Sequence, residues 1–327
     1  MPLSLSRGFV TAILAREDRL VRLEVEGLPC VAYPRLTGPV EIGDDVIVNV
    51  QARELGLGSG GFDVLHANLS RGLDLAPERG AHVMKLPYTS LQHATVHAEE
   101  SPDSVTSLAG MPVVCCSLHS QVVPVCAGIG KGLRVAYLQL PGGALPLSLS
   151  DAVRALDERG FVETTAAVGA CIDGDAACVT LPAALAWARG RGMQIVVCGI
   201  GPGIVGTGTR FGHGGVAAAE AANAATALGG RAVVAVRASS ADRRARHRDV
   251  SHHTRTVLQL SLGCVTAAWP AHAPRPEDLD VTLVDVARWE RECTGLPLDH
   301  MGRSPREDPL FFATAFAAGR LGRNFLE

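Results

Sequence analysis

Ile195-Val196-Val197-Cys198-Gly199-Ile200 runs directly into Gly201-Pro202-Gly203-Ile204-Val205-Gly206-Thr207-Gly208-Thr209-Arg210-Phe211-Gly212-His213-Gly214-Gly215, a buried strand followed by a long glycine-rich loop. Six apolar residues without alternation fit a strand covered on both faces, and the glycines mark where it ends. The same grammar recurs outward in both directions, at 113–118, 135–140, 165–172, 232–236 and 264–269. Helical patterns fall between several of these runs, at 150–158, 182–189, 216–228 and 251–262. Ser150 and Ser251 stand as N-caps, and Pro182 takes a first-turn position. Strands alternating with helices predict an α/β fold with a mostly parallel, doubly wound, Rossmann-like sheet over residues 110–327. After residue 284 the pattern predicts a helical tail interrupted by Pro305 and Pro309.

Before residue 80 the pattern is different. Short alternating runs at 8–13, 20–25, 30–33 and 45–50 are punctuated by Gly27, Pro34, Gly38-Pro39 and Gly43-Asp44. That punctuation predicts a small antiparallel β-barrel or sandwich over residues 1–80. The Gly58-Ser59-Gly60-Gly61 loop and a polar stretch at 70–80 close it. Residues 81–109, with strand character at 91–98 and an acidic segment at 99–103, read as a connecting strand and linker.

A chain of 327 residues exceeds what one core usually organises, which agrees with two domains. A net charge of −3 offers no general attraction to nucleic acid or anionic membrane. Nine cysteines without a C-x-x-C pair read as buried thiols in a reducing cytoplasm, not as a disulfide framework or zinc ribbon. The start lacks the apolar core of a signal peptide, and no run approaches the roughly 18 residues that span a bilayer.

Ligands of open α/β sheets bind beyond the carboxyl ends of the strands. The strand-following loops here carry His119-Ser120-Gln121, Pro141-Gly142-Gly143, Asp173-Gly174-Asp175, residues 201–215 and residues 239–253. Gly201, Gly203 and Gly206 match G-x-G-x-x-G formally. However, no acidic residue follows about 20 positions later, since the next strand ends in Arg237. A P-loop lysine is absent as well. What remains is a nest of backbone N–H groups, with Gly208, Thr207, Thr209 and Arg210, suited to a phosphate or carboxylate. The plainer reading makes the glycines a tight connection with positive φ. A helix N-terminus contributes only about 0.3–2 kcal/mol, whereas micromolar affinity needs about 8. Several loops must therefore converge.

The second cluster is Arg243-Arg244-Ala245-Arg246-His247-Arg248-Asp249-Val250-Ser251-His252-His253-Thr254. With Ser251 as cap, His252 and His253 lie in a first helical turn, where the dipole favours neutral rings that act as bases or ligands. Adjacent helical residues diverge by about 100°, which argues against both gripping one metal. No metal site is assigned, His119, His247, Asp249 and one of the pair being the only plausible ligands. The plainer reading makes the arginines a solvated face and the histidines hydrogen-bonded caps. No G-x-S-x-G elbow surrounds Ser120, and Asp173 and Asp175 read as turn formers beside Gly174.

These segments, with His82-Val83-Met84-Lys85-Leu86-Pro87-Tyr88-Thr89 and Gly110-Met111-Pro112-Val113-Val114, resemble an uncharacterised bacterial family catalogued as domain of unknown function 3866. The resemblance runs nearly end to end and implies no established activity or catalytic residues.

The leading expectation is an enzyme for a small anionic substrate. His119, His252, His253 and Asp249 are its catalytic candidates. Gly201, Gly203, Gly206, Thr207, Gly208, Thr209, Arg210, Ser120, Gln121 and Ser251 are its ligand-binding candidates. A non-catalytic ligand-binding or sensing protein is the first alternative. A nucleic-acid-binding protein using the N-terminal β domain is the second, which the lack of a basic, aromatic face argues against. The sequence assigns no cofactor, and a homo-oligomer stays open.

Overall fold

The computed structural model describes residues 3–56, 60–71, 75–103 and 105–327. The chain divides into two compact units, Met1–Val96 and His97–Glu327. Gly58 and Ser59 of the glycine loop named above lie outside the described residues.

The first unit is a barrel of β1 (Leu5–Arg16), β2 (Val21–Val25), β3 (Leu28–Ala32), β4 (Asp45–Asn49) and β5 (Asp63–Asn68). It closes in the order β1-β2-β3-β5-β4, with β4 returning to β1. One pair, β3 with β5, is parallel. β1 can reach both neighbours because bulges at Val10/Ala12 and Ile13/Ala15 bend it, as closure requires. Alternate residues point inward, so Val10, Leu23, Val46, Val48 and Leu65 make the core. Two single-turn helices, α1 (Pro34–Thr37) and α2 (Gln51–Glu54), sit between strands. A separate hairpin, β6 (Val83–Lys85) with β7 (His93–Thr95), ends the unit.

In the second unit β8 (Pro112–Cys116), β9 (Val135–Leu140), β10 (Thr164–Val168), β11 (Ala176–Cys178), β12 (Ile195–Ile200) and β13 (Arg231–Ala235) precede the two-residue pair β14 (Ala238–Ser239) and β15 (Asp249–Val250). β16 (Val265–Pro270) and β17 (Thr282–Val284) complete an eight-stranded sheet of order β11-β10-β9-β12-β8-β13-β16-β17. Every neighbouring pair is parallel, so all carboxyl ends share one edge. The short edge strands β11 and β17 carry no run long enough to announce themselves in the sequence.

Helices α3 (Val122–Ile129), α4 (Asp151–Glu158), α5 (Leu181–Gly190), α6 (Ala217–Ala227), α7 (His252–Leu260), α8 (Trp289–Glu292) and α9 (Pro309–Asn324) pack around the sheet. Residues alternate between its faces: Val114 and Val197 join the core with α3 and α9, while Val113 and Val196 join that with α5 and α6. Both faces are therefore dry, which is why the strands read as continuous apolar runs. The Ser150 and Ser251 hydroxyls cap α4 and α7 by accepting from Val153 and His253 N–H groups. Pro309 opens α9 at its first turn instead of interrupting a longer helix, because proline lacks the donor that this position would leave unused. Residues 285–308 are mostly irregular, with α8 the one helix among them. α3 and α9 approach so closely that a Cβ on Gly128 would meet the Phe316 carbonyl at 2.2 Å, and one on Gly319 the Val125 carbonyl at 1.9 Å.

Candidate functional site

The carboxyl edge brings together loops after β12 and β13 and the start of α7. The β12 loop is a short hairpin flap, not a nest: Gly206 bridges His213, Thr207 N–H donates to Gly212 O at 2.7 Å, and Gly214 N–H to Val205 O at 2.8 Å. Among its glycines only Gly203 has a positive φ. The others, Gly208 excepted, are there for lack of room. A Cβ on Gly214 would lie 1.9 Å from Gly142 O, and one on Gly201 2.1 Å from Ala144 O. The flap therefore packs backbone to backbone on the Pro141-Gly142-Gly143 loop. Thr207 and Thr209 bond each other at 2.8 Å, and Thr256 Oγ1 donates to Arg210 O at 3.2 Å, tying the exposed flap tip to α7.

At its base the flap inserts His213, buried, with its ring stacked on His253 at 3.7 Å. His252 lies 4.4 Å from His253 between ring centroids, and His247 lies 4.8 and 4.9 Å from the two. Four imidazoles thus form one cluster. The adjacent His252 and His253 converge despite the 100° step between helical neighbours, a correction to the sequence argument. Ser251 organises the group: its Oγ accepts from the His253 N–H at 3.2 Å and bonds His247 Nδ1 at 2.8 Å.

Beneath them lies Arg237, 1% exposed, at the end of β13. Its backbone is tied to the same segment, with Ser251 N–H donating to Arg237 O at 2.9 Å and Arg237 N–H to Thr254 Oγ1 at 2.8 Å. Its Nη1 donates to His253 Nδ1 at 3.0 Å. Guanidinium cannot accept, so the neutral His253 ring carries its proton on Nε2. Arg237 Nε and Nη2 are buried without a hydrogen-bond partner among the described residues, Asp242 Oδ2 standing 3.6 Å from Nη2. Asp242 is instead gripped by Arg244 through two bonds of 3.0 and 2.8 Å. Arg303 adds a contact to Asp242 at 3.6 Å and bonds Asp308 at 3.1 Å. Three guanidinium groups thus share two carboxylates.

Burial and this surplus together set the protonation states. Burial first, then the Arg237 charge, pushes His253 down to about 2 and His247 down to about 3. Burial also lowers His213 and His252. Burial raises the Asp242 carboxyl, but the Arg244 bonds outweigh it and hold the group well below the usual carboxylate range. Arg237 itself comes down to about 10 through burial, still a cation at neutral pH. Neutral imidazoles thus surround an incompletely paired cation.

Nitrogen atoms of His213, His252 and His253 lie within 4.8 Å of one another, close enough to raise the question of a metal. The arrangement fits one poorly. Ligation requires lone pairs converging at about 2.0–2.1 Å. Stacked rings instead aim theirs along parallel planes, and the His253 Nδ1 lone pair already receives Arg237.

Other expected site residues are engaged elsewhere. His119 Nδ1 donates to Ile200 O at 3.1 Å and its Nε2 accepts from Ser150 Oγ at 2.8 Å, which leaves neither nitrogen for proton transfer or metal. Gln121, fully buried, joins Leu118 N–H to Ala235 O. Asp249 is exposed, with a φ of 52°. Asp175 accepts from Thr165, and Asp173 has a φ of 68°, as turn formers do. Ser120 lies 3.0 Å from His300 Nδ1. Arg237, His213 and His300 escaped the sequence argument. A charged residue directly after the 232–236 run was the one usable signal for Arg237, and nothing local marks His300. A cleft of about 580 Å³ lined by His272, Asp285 and Glu290 gathers no comparable cluster.

Residues 29–319 match the model of a family described as a protein of unknown function, DUF3866. None of the curated proteins matches.

Proposed function

For this chain, which belongs to the DUF3866 family, we propose an enzyme that acts on a small substrate bearing a phosphate or carboxylate. The supporting observation is Arg237: a buried cation with two donor nitrogens lacking hydrogen-bond partners, set among four neutral imidazoles. An anion there would supply the missing acceptor, and charge-assisted bonds are the strong ones. His253 offers an Nε2–H to a developing negative charge, and His252 and His213 offer neutral nitrogens for proton transfer. Arg210, whose backbone on the flap tip is tethered to α7, would supply a second cation to the bound group. All nine cysteines are free, eight of them buried, which supports a reducing cytoplasm as the setting.

The test is thermal unfolding with inorganic phosphate, citrate or zinc. An anion at 100 times its Kd adds about 2.7 kcal/mol, and Arg237→Met should abolish that gain. Stabilisation by zinc alone would replace this reading with a metal centre on His213, His252 and His253.

A further inference from the structure

Ser120 and His300 form a second pair at the carboxyl edge, brought together from 180 residues apart. Ser120 follows β8 in the single 3-10 turn His119–Gln121 that leads into α3, and it remains partly exposed. His300 is 1% exposed, and its ring stacks on Phe311 at 3.7 Å with planes 3° apart. Backbone bonds of 3.0 and 3.1 Å with Arg303 hold its loop. The imidazole plane is therefore fixed, with Nδ1 on the serine and Nε2 buried without a partner among the described residues.

We propose that Ser120 is a nucleophile and His300 its base, in a centre that cleaves esters of small anionic acids; this rests on the anion site proposed above. Ser120 Oγ bonds to the ester carbonyl carbon as its proton passes to His300 Nδ1. The ester C–O bond breaks, and the alkoxide leaves with that proton as an alcohol. Water then adds to the acyl–serine carbonyl and gives a proton to His300. The Oγ–carbon bond breaks, and Ser120 recovers the proton. One ester and one water become one acid and one alcohol.

Two features favour acyl over phosphoryl transfer. Ser120 bonds a neutral ring, and no guanidinium donates to it among the described residues, whereas phosphoryl transfer needs cations at the reacting oxygens. The cations stand beside His300 instead. After burial, the charges of Arg237, Arg303 and Arg244, opposed by Asp242, hold its ring down to about 3. A carboxylate bound at Arg237 cancels part of that field and strengthens the base, so basicity arrives with the substrate. A G-x-S-x-G elbow is not needed where a base from a distant loop meets the serine.

The full-length protein is treated with a fluorophosphonate, its intact mass and labelled peptide are measured, and hydrolysis of 4-nitrophenyl hydrogen succinate is compared with that of neutral 4-nitrophenyl butyrate. We expect one adduct on Ser120, none in Ser120→Ala, and labelling slowed about 100-fold in His300→Gln. The anionic ester should be preferred about 10-fold, one strong charge contact, and Arg237→Met should erase the preference. Unchanged melting of Ser120→Ala, with phosphate stabilisation intact, supports a chemical role over a structural one. A missing adduct, an adduct elsewhere, or wild-type labelling of His300→Gln overturns the nucleophile even if anions still stabilise the protein. Ser120 labelling without anion preference or anion stabilisation overturns the anion site and leaves the nucleophile standing.

Discussion

Arg237 and His253, sixteen residues apart, meet with guanidinium Nη1 donating to imidazole Nδ1 at 3.0 Å. One bond thereby fixes the ring's tautomer and the direction in which it presents a donor, and after burial the same charge keeps the ring neutral. Replacing Arg237 with methionine should raise the proton affinity of His253 toward the ordinary histidine range, because the main charge opposing protonation is gone. Histidine NMR titration reads this directly. An unshifted His253 resonance across the titration would refute the assignment.

Acid should destabilise the second unit well before its carboxylates titrate. His247, His253 and His300 have folded values of about 3, 2 and 3, against an ordinary 6.5. Because the folded values are lower, their stabilising contribution is complete above about pH 6.5 and is lost as pH falls below it. Each contributes a slope on the order of 1.4 kcal/mol per pH unit in that window. Melting temperature followed from pH 7.5 to 5 should fall steeply below 6.5. A flat profile to pH 5.5 would contradict the burial of these rings.

Ser251→Ala removes both the α7 cap and the partner of His247. The expected loss is about 1–2 kcal/mol by urea unfolding. His247 and His253 would lose their common anchor, so anion stabilisation should weaken with it. Full stability with weakened anion binding would mean that the hydroxyl touches the ligand instead.

Gly214→Ala tests the flap. Its Cβ would lie 1.9 Å from Gly142 O, so either loop has to move. The strain should cost about 1–3 kcal/mol and displace His213 from its stack. Gly208→Ala, where the nearest atom is Arg246 Nη1 at 4.0 Å, is the control. Equal behaviour of the two variants would contradict the flap packing.

The fold was legible wherever physics writes a long signal. Six doubly covered strands and four helices, three of them with a start signal, were readable because burial on both faces, or a serine or proline before an apolar period, leaves a local trace. α3 left none: all eight of its residues are buried, so no polar face marks its period. The candidate site was legible only in its local part. Ser251, His252 and His253 belong to it because their cap is local. His119 and Gln121 sit at the right sheet edge, yet the hydrogen bonds that occupy them come from 81 and 114 residues away. His213 and His300 enter through contacts that no window of sequence contains.

The two ends of the large sheet carry a consequence for assembly. β11 and β17 are three residues each, too short to template another chain's strand, and the five-stranded barrel closes on itself. Polymerisation by strand addition is thereby blocked at both margins of the sheet. Copies of this chain that associate at this sheet meet through side chains, so the contact answers to surface substitution.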